Sequence, residues 1–432
     1  MRFKSWALPL IGLCASVLLT ACGGGGSKDS GSNTQIRLVN ASPSYATLDL
    51  SVDSKTINSA VAYGTAGSYG TVNTGATGTQ ILNNVGSAVA QLTPSLAADV
   101  NYSLIAYGSA GSVRTALLQE SEAAPDSAKS KLLAMNLAPD AGSLDIYVTL
   151  PADDLTNASP IVSNLSATPG SNTSSYNLLN AGNFRIRVTG AGNKNDLRLD
   201  VSSLALPAGG VSTLILTSTD GGVLVNGIHL VQKGTVSKQF NTTARTRLVA
   251  AVGEGASVSS QWGNTVLMPQ GSAPAIGDYT SIQAAAAGTL SIKVNGTDMT
   301  LTTPTLAAGK DYTLLLWGPA SAPALKVLED DNRLPTNANQ AKLRLINGVA
   351  NSTNGLTLSV DYTPLATNVQ AGTTSSPVAV NASANSFLSV NTPTLVSPVF
   401  SVTGLPVSAS GVYTVFMMGT NNTMVGSLRR ER

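Results

Sequence analysis

Apolar and polar positions alternate in short runs along most of the chain, and clusters of Gly, Asn, Ser and Pro break those runs apart. A period of two marks β-strands, whose side chains point to opposite faces in turn. In YTLLLWG, Tyr312, Leu314 and Leu316 fall on one face, and Thr313, Leu315 and Trp317 on the other. Both faces are largely apolar, which predicts a central strand rather than an edge. No long amphipathic helical stretch stands out. The alanine run Ala284–Ala287 is the main exception, and Gly288 followed by TLSIKVNG predicts a loop there.

The strand pattern repeats. IRLVNASP (Ile36–Pro43), LLAMNLAP (Leu132–Pro139), TRLVAAVG (Thr246–Gly253) and LRLINGVA (Leu343–Ala350) each open a unit. Each is followed closely by a second strand-like run: LDLSVD (Leu48–Asp53), LDIYVTL (Leu144–Leu150), SVSSQWG (Ser257–Gly263) and LTLSVDY (Leu356–Tyr362). A third phrase returns near each unit's end, as in SLAADVNYSLIAYG (Ser95–Gly108) and TLAAGKDYTLLLWG (Thr305–Gly318). Separate anchors recurring in one order argue for four homologous units. Their size and rhythm predict an all-β chain of four tandem immunoglobulin-like antiparallel β-sandwich domains. The expected bounds are 35–127, 128–240, 241–337 and 338–432. Stacked end to end, four such modules would reach up to about 150 Å. A leucine or valine, a small-residue turn and then Tyr102, Tyr312 or Tyr413 suggest the corner tyrosine of such sandwiches, whose hydroxyl bonds back to the turn. Ser212 stands at this place in the second unit.

The amino-terminal segment differs from everything after it. Arg2 and Lys4 precede a mostly apolar run, Trp6 to Leu19, shorter than the ~20 residues a membrane-spanning helix needs. Leu19-Thr20-Ala21-Cys22 then resembles the lipobox of bacterial lipoprotein precursors. The resemblance implies that residues 1–21 are a signal peptide, cut before Cys22. It also implies that the Cys22 thiol takes a diacylglycerol and that the new amino group is acylated, palmitate being the expected chain. In this family an aspartate after the cysteine favours inner-membrane retention. Gly23 stands there instead, so the resemblance implies an outer-membrane anchor, facing either the periplasm or the outside. Residues 22–34 have the composition of a flexible Gly/Ser linker.

Composition narrows the function. Both cysteines, Cys14 and Cys22, lie in the first 22 residues, so no disulfide braces the body. Only 11% of residues are charged. The net charge is +2, and subtracting Arg2 and Lys4 leaves 0. A neutral, charge-poor body lacks the basic footprint of nucleic-acid binding. The single histidine, His229, is the one imidazole that could serve a hydrolase, and its place among apolar residues predicts packing instead. A His/Cys zinc site is excluded by count, and no cofactor or metal is expected. Asp49 and Asp53 lie on one strand face ~13 Å apart, too far to share a proton. Glu329-Asp330-Asp331 predicts a linker between units. Among aromatics, Trp262 in SSQWGN is flanked by polar residues, which predicts an exposed platform for a ligand such as a glycan.

RLVNASP, LDLSVD and LAAGKDYTLLLWG together resemble the domain-of-unknown-function family numbered 4397, bacterial secreted and surface-associated modules. The first unit carries the opening through Ala41-Ser42-Pro43 and Asp49…Asp53, and the third carries the ending through Gly309 and Tyr312-Thr313. The resemblance supports the fold and implies no activity. The combined expectation is a non-enzymatic, lipid-anchored envelope protein for binding, adhesion or structure. Its partners would be membrane lipid through Cys22 and an envelope protein or glycan. The alternative expectation is a carbohydrate-binding envelope lipoprotein.

Overall fold

Each of the four opening phrases forms a first strand. The computed structural model of the chain describes residues 32–219, 221–253, 255–284 and 288–432. Cys22, the expected signal peptide, most of the expected linker and residues 285–287 of the alanine run lie outside the described residues. Within them the chain is all-β, with one 3-10 turn at Pro139–Ala141 and no α-helix, and so no helix long and apolar enough to cross a membrane.

The first unit sets the plan. Its strands are β1 (Asn33–Ala41), β2 (Thr47–Val52), β3 (Lys55–Ala62), β4 (Gly70–Asn73), β5 (Thr79–Asn83), β6 (Ala88–Leu92), β7 (Asn101–Tyr107) and β8 (Arg114–Gln119). They build two sheets, ordered β4-β1-β7-β8 and β3-β2-β5-β6. The other three units repeat both orders. All pairs within them are antiparallel except one: β1 runs parallel to β7 in register from Gln35↔Asn101 to Ala41↔Tyr107. The same parallel pair recurs as Lys129–Leu137 with Gly210–Ser218, Thr243–Ala250 with Asp311–Trp317, and Gln340–Asn347 with Val412–Thr420. Short turns predict only antiparallel neighbours, whereas a parallel pair needs a long crossover. Here the crossover is the rest of the sandwich. The units are immunoglobulin-like in their two packed sheets, with a strand order of their own.

The corner tyrosines are present. The backbone N–H of Ala97, Ala307 and Ser408 donates to the hydroxyl of Tyr102, Tyr312 and Tyr413 at 2.9, 3.1 and 2.9 Å. Each bond pins the turn to the strand it feeds. Ser212 is too short for this, and its buried hydroxyl has no partner among the described residues.

Each sandwich closes on one face of its first strand; Ile36 and Leu38 belong to the first unit's core. The other face of the same strand packs on a different unit. Val39, Ala41, Ile105 and Leu118 of the first unit form one cluster with Leu133, Met135, Ile215 and Ile228 of the second. Val249, Ala251 and Leu315 of the third do likewise with Ile346, Phe416 and Met418 of the fourth. The second apolar face of these strands is therefore an inter-unit surface. The units pack face to face in pairs, and an end-to-end array reaching about 150 Å is not what forms. Buried side chains of this kind contribute about 1.5–3 kcal/mol each, enough to hold two sandwiches together firmly.

Two glycines make the closeness of the second pair possible. A Cβ on Gly348 would lie 2.5 Å from the Ala251 Cβ across the junction. One on Gly372, whose φ is +73, would lie 2.4 Å from the Trp317 ring.

Candidate functional site

Buried charge gathers where sandwiches meet. β1 points Arg37 away from its own core, toward the second unit. Its Nε donates to Ser103 Oγ at 2.8 Å, its guanidinium sits 4.4 Å above the Tyr69 ring, and Nη2 pairs with Glu120 at 3.3 Å. Tyr69 donates to the same carboxylate at 2.7 Å, and burial with Glu120 beside it pushes the phenol well above its ordinary pKa. The network then crosses the junction: Arg37 Nη1 donates to Gly234 O at 2.8 Å, and Lys233 N–H donates to Glu120.

The third unit rebuilds this set as Arg247, Thr313, Tyr279 and Asp330. Arg247 Nε donates to Thr313 Oγ1 at 3.0 Å and stacks 4.3 Å from the Tyr279 ring, whose hydroxyl donates to Asp330 at 2.6 Å. The ion pairs here are exchanged with the fourth unit. Arg247 reaches Glu431 at 2.7 Å, and Asp330 receives Arg344 at 2.8 Å. Two reciprocal buried pairs of this kind set register more than they add stability, because desolvation offsets most of the attraction.

Several sequence expectations need correcting against this geometry. Trp262 is 6% exposed in the third unit's core, with the Gly288 backbone against its ring, so it offers no platform. Polar neighbours misled because Ser259 and Gln261 alternate with it onto the opposite strand face. Glu329 and Asp330 are not linker; they end the strand Ala324–Asp330, and Asp330 is buried at the junction. Asp331 does follow the strand, pairing with Arg333 and Lys342, which outweigh burial and bring its carboxyl down to about 2. Asp49 and Asp53, too far apart to share a proton, each hold backbone instead. Asp49 accepts the N–H of Ala60, a left-handed bulge residue at φ 50, and Asp145 does the same for Asn164 at φ 51. Asp53 and Asp361 open two-residue hairpin turns with positive φ at both positions, as such turns require.

His229 is packed, as its neighbours imply. It is 5% exposed on the strand Val225–Val231, its Nε2 has no partner among the described residues, and burial lowers its pKa to about 4. An imidazole so placed cannot reach a substrate.

Cavities open between the second and third units. A cleft of about 870 Å³ lies between the second and third sandwiches, lined by Arg185, Arg187, Lys194, Arg198 and Arg245, with Glu431 of the fourth unit at its wall. A second opening of about 390 Å³ shares Arg185 and Asp200 with it and adds Lys238 and Gln239. The sequence carries a signal for it. In FRIRV and LRLDV the charged residues alternate with core residues, so Arg185, Arg187, Arg198 and Asp200 share the outer sheet face.

The family profile described as Domain of unknown function (DUF4397) matches residues 34–147 and 244–354, just over half of the 432 residues. The chain belongs to this family. Each DUF4397 match runs through one sandwich and past the first strand of the sandwich packed against it, so the two matches begin at the two face-to-face pairs. No curated protein matches the chain. Among solved structures, it is similar to a Bacteroides uniformis protein provisionally assigned to cell adhesion, at 12% identity and a TM-score of 0.18, over 48% of this chain and 99% of that one.

Proposed function

We propose that this protein is a non-enzymatic outer-membrane lipoprotein, held by an acylated Cys22, whose four sandwiches serve binding, adhesion or envelope structure. Leu19-Thr20-Ala21-Cys22 carries the reading, placed where an apolar run ends and a glycine tract begins. A single acyl chain holds a membrane marginally, while two or more hold it stably, so a diacylated thiol and an acylated amine suffice as an anchor. The inventory within the described residues supports a non-catalytic role. His229 is buried, Asp49 and Asp145 hold bulges, and Asp330 holds a junction. Lipid labelling and fractionation test the proposal: Cys22→Ala should lose label and move to the soluble fraction. Retention of the variant in the membrane would refute the anchor.

The groove between the second and third sandwiches favours a second, compatible reading, that the bound partner is a glycan. Its wall is rich in carboxamides and hydroxyls, and this reading no longer involves Trp262.

A further inference from the structure

We infer that the groove between the second and third sandwiches binds an acidic polysaccharide, with carboxylates of the glycan seated at Arg187, Lys194 and Lys238. The inference rests on the glycan reading above and names its substrate class.

Charge bookkeeping along the groove comes first. Every acid in its walls already has a cation: Asp200 holds Arg185, Asp196 holds Arg198, Glu431 holds Arg247 and Asp278 holds Arg429. Arg245 is committed to the fully buried Asp311. Arg187, Lys194 and Lys238 form no ion pair among the described residues, although Asp153, Asp154 and Asp200 act on Arg187 from farther away. Arg187 gives one nitrogen to Thr149 Oγ1 and the Asp153 carbonyl, at 2.7 and 2.9 Å, and its buried Nε has no partner. Burial and then the neighbouring Arg185 act against its charge and outweigh the pull of Asp200, Asp154 and Asp153, so a further anion would relieve the cost that remains. Lys194 donates only to the Thr156 carbonyl, and Lys238 lies 5.6 Å from the Phe240 ring.

Shape selects the form of the anion. The two openings lie side by side, with the Arg185–Asp200 pair in the lining of both, and the cations without an ion pair are divided between them. An extended chain with repeated carboxylates meets both ends; a compact ion meets one. The wall chemistry selects the class. Asn193, Asn195, Ser281, Gln239 and Gln283 present the donors and acceptors that sugar hydroxyls use. A peptide added to a sheet edge would instead draw specificity from pockets for alternate side chains.

Calorimetric titration of the full-length chain, in detergent where its anchor requires it, tests this with polygalacturonate, neutral dextran and poly-L-glutamate. Polygalacturonate should bind, more weakly as salt rises, and dextran should not. Lys194→Gln with Lys238→Gln should weaken binding about tenfold or more, the loss of one or two charge-assisted contacts, with the melting temperature unchanged. Arg187→Lys, which keeps the charge, should bind better than Arg187→Gln. No binding of polygalacturonate, or binding indifferent to the lysine substitutions, overturns the site. Equal, lysine-dependent binding of poly-L-glutamate overturns the glycan class. None of these outcomes depends on Cys22, so the anchor and the groove succeed or fail separately.

Discussion

Arg247 of the third sandwich and Glu431 of the fourth meet across their junction in a two-pronged ion pair, 2.7 and 2.9 Å long, with both side chains almost wholly buried. The strand that carries Arg247 turns its neighbours Thr246 and Leu248 to the other side, Leu248 into its own core. One strand therefore serves two packing problems, and the arginine marks the face that looks outward to another unit.

Removing one member of this pair should cost far more than removing both. Glu431→Ala leaves a buried guanidinium unpaired and should lower unfolding stability by about 3–5 kcal/mol. Arg247→Met combined with Glu431→Leu should recover most of that loss. Urea melts of the three variants decide it; a single-variant loss below about 1 kcal/mol would mean the pair is energetically idle.

The corner bonds give a paired prediction. Tyr413→Phe leaves the Ser408 N–H without its acceptor and should cost about 1–3 kcal/mol. Ser212→Ala, at the equivalent place in the second unit, removes a buried hydroxyl that has no partner among the described residues, and should be neutral or mildly stabilising. Comparable losses at both positions would contradict the assignment.

Stability should fall in mild acid because of His229. Its folded pKa, lowered by burial from 6.5 to about 4, means the unfolded chain takes up a proton first as pH drops. The contribution is complete above pH 6.5 and is lost as pH falls toward 4, with a ceiling of roughly 3 kcal/mol. Chemical melts between pH 7.5 and 4.5, with and without His229→Gln, should show this slope flattened in the variant. An unaltered slope would assign the acid sensitivity elsewhere.

Face-to-face packing predicts which fragments stand alone. Residues 241–432 should form a cooperative, monomeric pair. Residues 241–337 alone would expose Val249, Ala251 and Leu315, and should bind a hydrophobic dye and associate. A well-behaved monomer of the shorter fragment would show that the junction contributes little. Gly348→Val should act in the same direction within the longer one, since its side chain would enter the space of Ala251.

The recurring phrases and the alternation in YTLLLWG identified the first strand, the second strand and the counterpart of β7 in every unit, and the spacing before Tyr102, Tyr312 and Tyr413 identified the corner bonds. These features are local: a period of two and a turn five residues from its tyrosine are written in neighbouring positions. Trp262 shows the limit of that locality. Ser259 and Gln261 of SSQWGN lie on the opposite face of the strand, so these sequence neighbours said nothing about what surrounds the ring.

By itself the sequence determined an all-β repeat, the strands that its recurring phrases mark and the corner-tyrosine turns. Only the tertiary structure decided that β1 lies parallel to β7, that units close into pairs, and that Asp330 belongs to a junction. The physical reason is that an apolar second face looks the same in sequence whether it is covered by a strand of its own unit or by another sandwich. Which partner covers it depends on contacts between residues as far apart as Arg247 and Glu431, and no period in the chain encodes that distance.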